Sequence, residues 1–364
     1  MPLIIPIFVI HQGCPHRCIY CNEEKAVGDY PPRITEAVFR ETVYSYMRNS
    51  RERDEPAEIA FYGGNFTGMD REYQRDLLEM AGVFIKQALV AGVRVSTRPD
   101  YLDEKCLDFL QEFSVKTVEI GAQSLVDKVL CLSRRGHSVD DIGRAVRLLK
   151  RRGIKTGMHL MAGLPGDSVE GFAFTVRETI ALRPDIVRIH PTLVLKGTEL
   201  AEAFSRGDYK PLSMPEAIDT CKFALREFTA AGIPVIRLGL QTTPEMEKTG
   251  SIVAGPFHPS FRSLVEEAIF FDMAFSLLSK LDVKGREVAF TVSPRDVSSF
   301  RGHKNRNLQD IKKRFNLNGI SLSVDPGQPR GELAIDLNGK KWQLMSPRKP
   351  RMSPPPSSRR PSRA

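Results

Sequence analysis

The sequence has no run approaching the ~18–20 apolar residues that a membrane-spanning helix needs, so no stretch reads as a membrane span. Cysteine is scarce. There are six in 364 residues, and three of them (Cys106, Cys131, Cys221) are scattered, which excludes a disulfide framework and points to a reducing cytosol. The apolar opening MPLIIPIFVI has no basic stretch before it and no small-residue cleavage site after it. It reads as a buried strand rather than a secretory leader. The last nineteen residues (346–364), SPRKPRMSPPPSSRRPSRA, lack acids altogether and carry six of the Lys and Arg. Without them the net charge of +9 falls to +3, so the overall charge says little about the folded part. A Pro/Ser/Arg-rich segment of this kind is expected to be a disordered, solvated tail.

Seven apolar, β-branched runs stand in the first two thirds of the chain: residues 3–10, 58–64, 93–97, 116–124, 155–165, 185–191 and 234–241. Helical spacing fills the intervals. Residues 34–49 place Ile34, Val38, Val43 and Met47 near one face, and residues 140–153 place Ile142, Val146, Leu148 and Leu149 inward before Gly153 ends the helix. Residues 215–232 also end in glycine. Repeated β-α units imply a parallel sheet, and strands read as continuously apolar imply burial on both faces. The fold class expected is α/β, a partial (β/α)6-type barrel over residues 1–245, though pattern alone also allows an open doubly wound sheet. A helical extension (246–283) and a small α+β domain (284–345) follow, the latter with a hairpin turning at Asn338–Gly339. In either parallel architecture the chemistry belongs at the carboxyl ends of the strands, and the unusual residues cluster there.

Residues 13–22, GCPHRCIYCN, put Cys14, Cys18 and Cys21 within eight residues as C-x3-C-x2-C. A structural zinc needs a fourth ligand; His11 and His16 are near in sequence, but no second C-x2-C appears downstream. A redox pair Cys18/Cys21 leaves Cys14 idle. A cubane [4Fe-4S] cluster held by three thiolates, with one iron open, fits better, with zinc or simple redox chemistry as the alternatives.

This loop, after the first strand of a β/α barrel, resembles that of the radical S-adenosylmethionine (SAM) superfamily. The resemblance implies a [4Fe-4S] cluster on Cys14, Cys18 and Cys21, SAM on the open iron, and an external electron donor. It also implies cleavage of SAM to a 5′-deoxyadenosyl radical. Tyr20 sits where that family packs an aromatic near adenine. FYGGNF (61–66) is similar to the family's glycine-rich turn, with Gly63 and Gly64 close to the ligand and Asn65 where Glu is usual. Ser96 and Arg98 of STRPD match the segment approaching the methionine portion. VEIGAQS (118–124) followed by RRGH (134–137) resembles the coproporphyrinogen-oxidase-like branch. That match implies Gln123 and Ser124 near the ribose, Arg135 on the methionine carboxylate and Glu119 on the inner face. HLMAGLPGDS (159–168) resembles the segment behind adenine, contributing His159, Gly163 and Leu164.

The stretches 58–68, 96–102, 118–127, 134–142 and 190–213 resemble the radical SAM domain of the Elongator catalytic subunit and its bacterial stand-alone relatives. This implies a tRNA substrate functionalised at C5 of a wobble uridine. The cysteine loop is more compact than Elongator's. About 80 residues follow the barrel with no acetyl-CoA-type glycine signature, so no acetyl-CoA domain is expected. Gly302, Asn305, Leu308 and Ile311 fit the G-x-x-G-x-x-I-x-x-I loop-helix of KH-type RNA-binding domains, with Lys304 and Arg306 toward phosphates. His190, Lys196, Arg237, Gln241 and His258 are the candidates for the substrate cavity. Two other readings compete with RNA modification: an oxygen-independent oxidoreductase on a tetrapyrrole or other small molecule, and a heme- or cluster-trafficking protein on the same barrel.

Overall fold

A computed structural model describes residues 3–9, 12–15, 17–22, 33–49, 56–240, 250–337 and 340–345. The expected Asn338–Gly339 turn, the tail 346–364 and Gln241 lie outside the described residues. So do His11 and His16. None of the helices described is long and apolar enough to cross a membrane.

Seven parallel strands form one sheet: β1 (Ile4–Phe8), β2 (Ala57–Tyr62), β3 (Val90–Thr97), β4 (Val115–Gln123), β5 (Lys155–Ala162), β6 (Ile186–Pro191) and, after the short β7 (Val194–Leu195), β8 (Val235–Leu238). Their spatial order is β1-β2-β3-β4-β5-β6-β8. The order follows the chain with no reversal, so the doubly wound alternative is excluded. Right-handed crossovers taken repeatedly in one direction put every helix on one face, and the sheet curls over them as a half-barrel. All seven apolar runs became strands, one more than the six-unit barrel expected.

The helices are α1 (Glu36–Arg48), α2 (Arg71–Lys86), α3 (Glu104–Glu112), α4 (Asp127–Leu132), α5 (Val139–Arg151), α6 (Val169–Leu182), α7 (Glu199–Arg206) and α8 (Met214–Ala230). All but α4 start where a side chain satisfies a free amide donor of the first turn. Thr35, Asp70, Asp103, Ser138, Ser168, Thr198 and Ser213 each accept from the backbone three residues on. In α5, Ile142, Val146, Leu148 and Leu149 are all buried, as expected. In α1 the inward pair is Phe39 and Val43, whereas Val38 is 40% exposed. The larger Phe39 takes the core position because it packs on Phe61 and Phe84 at ring-centroid distances of 6.2 and 6.0 Å.

The strands are not apolar on both faces. Ile59, Phe61, Val93, Val95, Val118, Ile120, Met158, Leu160, Val187 and Ile189 form the core beneath the helices. The alternate positions Glu58, Arg94, Glu119, His159 and Arg188 are polar and bond to one another on the concave face. Burial on both faces holds, but the inner one is lined with charge.

The segment 246–283 is not wholly helical. Ile252–Ala254 (β9) pairs antiparallel with β7, and Lys196 N donates to Ser251 O at 3.0 Å. Helix α9 (Phe261–Leu278) then packs against α8 and carries the core into a second sheet. That sheet contains β10 (Glu287–Val292), β11 (Gly319–Val324), β12 (Glu332–Leu337) and β13 (Lys340–Met345), in the order β11-β10-β12-β13. Between the parallel neighbours β10 and β11 lie α10 (Val297–Arg301) and α11 (Arg306–Arg314), joined at Gly302–Asn305. Phe300 stacks between Phe290 and Phe270, at 4.9 and 6.2 Å, tying this unit to α9.

One glycine decides how the inner face is built. Gly157 on β5 lies directly opposite Glu119, and a Cβ there would stand 2.8 Å from Glu119 Cγ and 3.2 Å from Ile186 Cγ1. Its bare Cα lets the Glu119 side chain lean across β5. Gly157→Ala is expected to cost ~1–3 kcal/mol by overpacking, read from urea unfolding against wild type; an unchanged midpoint would contradict the close approach.

Candidate active site

Glu119 is fully buried, and its carboxylate gathers the concave face. Arg94 Nη1 donates to Oε1 at 2.7 Å, Arg188 Nη2 at 3.0 Å and the Tyr62 hydroxyl at 2.9 Å. Arg188 Nε lies 2.8 Å from Oε2, and His159 Nε2 bonds to that same oxygen. Arg94 also pairs with Glu58, Nη2 to Oε2 at 2.6 Å and Nε to the same oxygen at 3.0 Å. Arg188 lies over the Tyr62 ring at 4.7 Å. Burial would raise the Glu119 carboxyl, but the His159 hydrogen bond and the charges of His159, Arg188 and Arg94 hold it well below the usual carboxylate range. Burial, with Glu119 beside it, pushes the Tyr62 hydroxyl up, so it stays protonated and donates.

At the strand ends, Arg135 reaches the cysteine loop. Its Nη1 is 3.2 Å from Cys18 Sγ and 3.3 Å from the Tyr20 hydroxyl, while Nη2 donates to Gly121 O at 2.6 Å. Its Nε has no partner among the described residues. A Cβ on Gly121 would stand 3.1 Å from both Arg135 Nη2 and Gln123 Nε2, so the absent side chain is what lets the two converge. Gln123 holds a left-handed backbone (φ 67°) where the β4–β5 register shifts. A non-glycine residue in that region carries strain that concentrates at functional sites.

Later segments clamp the loop. Ile19 N donates to Ser133 O at 3.3 Å, Leu200 N to Ile19 O at 2.9 Å and Asn22 Nδ2 to Lys196 O at 2.9 Å. Tyr20 packs with Val194, Leu200 and Tyr209. Cys18 is buried, Cys21 half-buried and Cys14 exposed, and no disulfide joins any of them. Among the described residues, no three Cys, His, Asp or Glu side chains converge as a metal site. The donor set nevertheless suits a [4Fe-4S] cluster: three soft thiols on one short loop, with the buried Arg135 guanidinium 3.2 Å from one of them.

Several expected contacts are otherwise engaged. Asn65 is fully buried; its Oδ1 accepts from Thr97 Oγ1 at 2.6 Å and Arg98 N at 3.0 Å, and its Nδ2 donates to Gly13 O at 2.9 Å. It ties the cysteine loop to β2 and β3 rather than facing a ligand. Gly63 and Gly64 both have positive φ, and a Cβ on Gly64 would meet Gln12 N at 2.9 Å, so the close approach there is to the loop. Arg98 is neither solvated nor free: it is buried in a bidentate pair with Asp100, at 3.0 and 2.9 Å. Ser124 faces helix α6, 3.4 Å from Thr175 Oγ1. Glu119 and His159 are bound to each other. Ser96 stays half-buried on the inner face, opposite Glu119 in register. Gly163 O accepts from the Tyr209 hydroxyl at 2.6 Å, with Leu164 buried beside it.

Among the substrate candidates, His190 stacks edge-on against His159 at 6.2 Å. Burial, His159 and the nearby arginines lower its pKa to about 3, so it is neutral. Lys196 is exposed on the β7–β9 pair, and His258 Nδ1 accepts from Ser260 N at 3.0 Å at the head of α9. Arg237 lies beside Arg188 on β8.

Arg94, Arg188 and Tyr62 were missed by sequence reasoning, although their signal was present as polar residues at every second position of otherwise apolar strands. His137 was missed too. Its imidazole is wholly buried 4.0 Å from Asp100, and burial with Arg135 and Arg98 lowers its pKa to about 3.

Fold and site together define a singly wound β/α half-barrel with a three-thiol loop at the carboxyl end of its first strand. The profile of the radical SAM superfamily matches residues 8–179 and that of the Radical_SAM C-terminal domain residues 184–270; the chain belongs to the radical SAM superfamily, whose members imply a [4Fe-4S] cluster and SAM. It is 31% identical over 266 residues to a tRNA uridine(34) acetyltransferase of Methanocaldococcus infernus, covering 61% of this chain and 48% of that protein. It is 30% identical over 249 residues to an uncharacterized protein of Methanocaldococcus jannaschii, covering 66% and 76%. Among solved structures it resembles the archaeal M. infernus Elp3 with an N-terminal deletion, with a TM-score of 0.58 and 25% identity over 73% of this chain and 62% of that one. The chain thus spans about half the length of the acetyltransferase it matches.

The Glu119 network makes stability depend on pH with a defined sign. A carboxyl held below its ordinary value of 4.5 contributes fully above that pH and loses the contribution as pH falls toward the lowered value. Glu119→Gln is expected to cost ~3–5 kcal/mol at pH 7, because Arg188 loses its counter-charge and Arg94 keeps only Glu58 of its two. The gap from wild type should narrow below pH 4.5, measured by denaturant unfolding across pH; a constant gap would contradict the assignment.

Proposed function

We propose that the protein is a radical SAM enzyme acting on tRNA. The observation that carries the chemistry is the C-x3-C-x2-C loop at the end of β1 with Arg135 lying 3.2 Å from Cys18 Sγ, in a chain of this superfamily. Cys14, Cys18 and Cys21 would hold a [4Fe-4S] cluster, leaving one iron for SAM. When bound and reduced by an external donor, these cofactors supply a 5′-deoxyadenosyl radical. Arg135 places a fixed positive charge beside the thiols, where its geometry suits a carboxylate. Gln123 is held strained at the same opening over Gly121, and Tyr20 closes the loop against apolar neighbours.

Two observations support tRNA. One relative is a tRNA uridine(34) acetyltransferase, so a uridine-bearing tRNA is the substrate proposed. The β10–α10–α11–β11 unit also joins its helices as a KH-type loop does. Lys304 and Asn305 both hold left-handed backbone (φ 52° and 60°), and Ile311 is buried beneath. Lys304, Arg306, Lys312 and Lys313 are exposed, whereas Arg314 is turned onto the Phe275 ring at 4.7 Å.

Anaerobically reconstituted protein, reduced with dithionite, is expected to convert SAM to 5′-deoxyadenosine, faster with tRNA present. Cys18→Ala should lose both the iron–sulfur absorbance and that product; no product from cluster-loaded wild type would sink the reading. Lys304→Glu/Arg306→Glu is expected to weaken tRNA binding and lower the slope of log affinity against log salt by about 0.7 for each phosphate no longer neutralised. An unchanged slope would remove this loop from the RNA interface.

A further inference from the structure

The concave face carries a charge imbalance. Glu58 and Glu119 are matched by Arg94 and Arg188, and Arg98 by Asp100. Arg237 has no counterpart among the described residues. It stands on β8, the last strand of the sheet, directly beside Arg188 in register, and is half-buried. It makes no hydrogen bond or ion pair with any described residue, and the nearest fixed charge in register is of its own sign. A half-buried guanidinium normally finds a partner, because each donor taken from water without an acceptor costs free energy. Burial first, and then repulsion from Arg188, lower its pKa from the ordinary arginine value, and the pull of Tyr62 and Glu119 counters them only in part.

A second unsatisfied group lies next to it. His190 follows Arg188 by two residues on β6, so it faces the same side one layer nearer the carboxyl end of the strands. Its Nδ1 is buried with no partner among the described residues. The Arg237 charge acts on this ring and helps keep it neutral, and a neutral imidazole can still donate one hydrogen bond. Both stand toward the carboxyl ends of β6 and β8, at the other end of the strand order from β1 and the cysteine loop that follows it.

We infer that Arg237 and His190 form an oxyanion subsite that receives a phosphate of the substrate. The inference rests on the tRNA reading above for the source of that phosphate, not for the existence of the subsite. A planar fork of donors matches a phosphate's oxygens in pairs, and a neutral histidine adds a donor without adding repulsion to Arg188. With a phosphodiester seated there, the neighbouring nucleoside reaches toward the strand ends where the cysteine loop lies.

The test is binding to the full-length protein without cluster or SAM, so it stands or falls separately from radical chemistry. The probes are a short uridine-containing oligoribonucleotide and inorganic phosphate, compared with chloride at equal ionic strength. The variants are Arg237→Met and His190→Phe, which keep bulk and remove the donors. Arg237→Met is expected to weaken oligoribonucleotide binding about tenfold and lower its salt slope by about 0.7. It should unfold at the same denaturant concentration as wild type or a higher one, since it leaves no internal partner unpaired. A deficit seen with the oligoribonucleotide alone assigns the phosphate to the nucleic acid; a deficit confined to free phosphate assigns it to a small anion and keeps the subsite. Equal affinity of wild type and Arg237→Met for both probes overturns the proposal. So does a marked loss of stability in Arg237→Met, which would reveal an internal counter-charge.

Discussion

One buried carboxylate organises the inner wall of this half-barrel. Glu119 on β4 binds Arg94 on β3, Arg188 and His159 on β6 and β5, and the Tyr62 hydroxyl on β2. Five of the seven strands are thus linked through a single side chain with no exposure to solvent. Charges in such a place are costly unless every one is paired, so the network constrains its neighbours. Position 157 has to be glycine-sized, and the strands must stay in register for the side chains to meet. A hydrophobic wall would have packed with less demand on geometry. A charged one holds a polar interior surface in a fixed form.

That surface has two unequal flanks. Toward β1–β4 the polar groups at the strand ends are largely consumed in holding the cysteine loop. Asn65 ties the loop to two strands, Arg98 is closed on Asp100, and Ser133, Lys196 and Leu200 hydrogen-bond the loop. Over Gly121 the side chains of Arg135 and Gln123 converge. Toward β6 and β8 the opposite holds: the Nδ1 of His190 is buried without a partner among the described residues, and the half-buried Arg237 makes no hydrogen bond or ion pair with any of them. A surface with satisfied groups on one side and unsatisfied donors on the other fits a fixed cofactor site facing a site for an anionic visitor.

The second sheet is not an independent appendage. Helix α9 belongs to both cores: its Phe270 packs on Phe300, which in turn packs on Phe290 of β10. Glu267 on the same helix bonds the loop before α11, its Oε2 accepting from His303 N and its carbonyl from Asn307 Nδ2. The basic loop is thereby fixed relative to the barrel rather than tethered loosely to it.

Much of the fold was legible in the sequence because hydrophobic periodicity and helix-stop residues act locally. All seven strands, the glycine-terminated helices and the left-handed Asn305 follow from residue type and spacing within a few positions. The cysteine triplet was legible for the same reason, since its ligands are neighbours in the chain. What the sequence could not determine is which polar residues would meet. Asn65 and Arg98 look like ligand contacts until Thr97, Gly13 and Asp100 are placed around them, and Arg94 and Arg188 look like solvated strand residues until Glu119 lies between them. Whether a charge is paired or left over can depend on a partner 69 residues away, as it does for Arg188 and Glu119. Strand order and register bring such partners together, and both are properties of the assembled sheet alone.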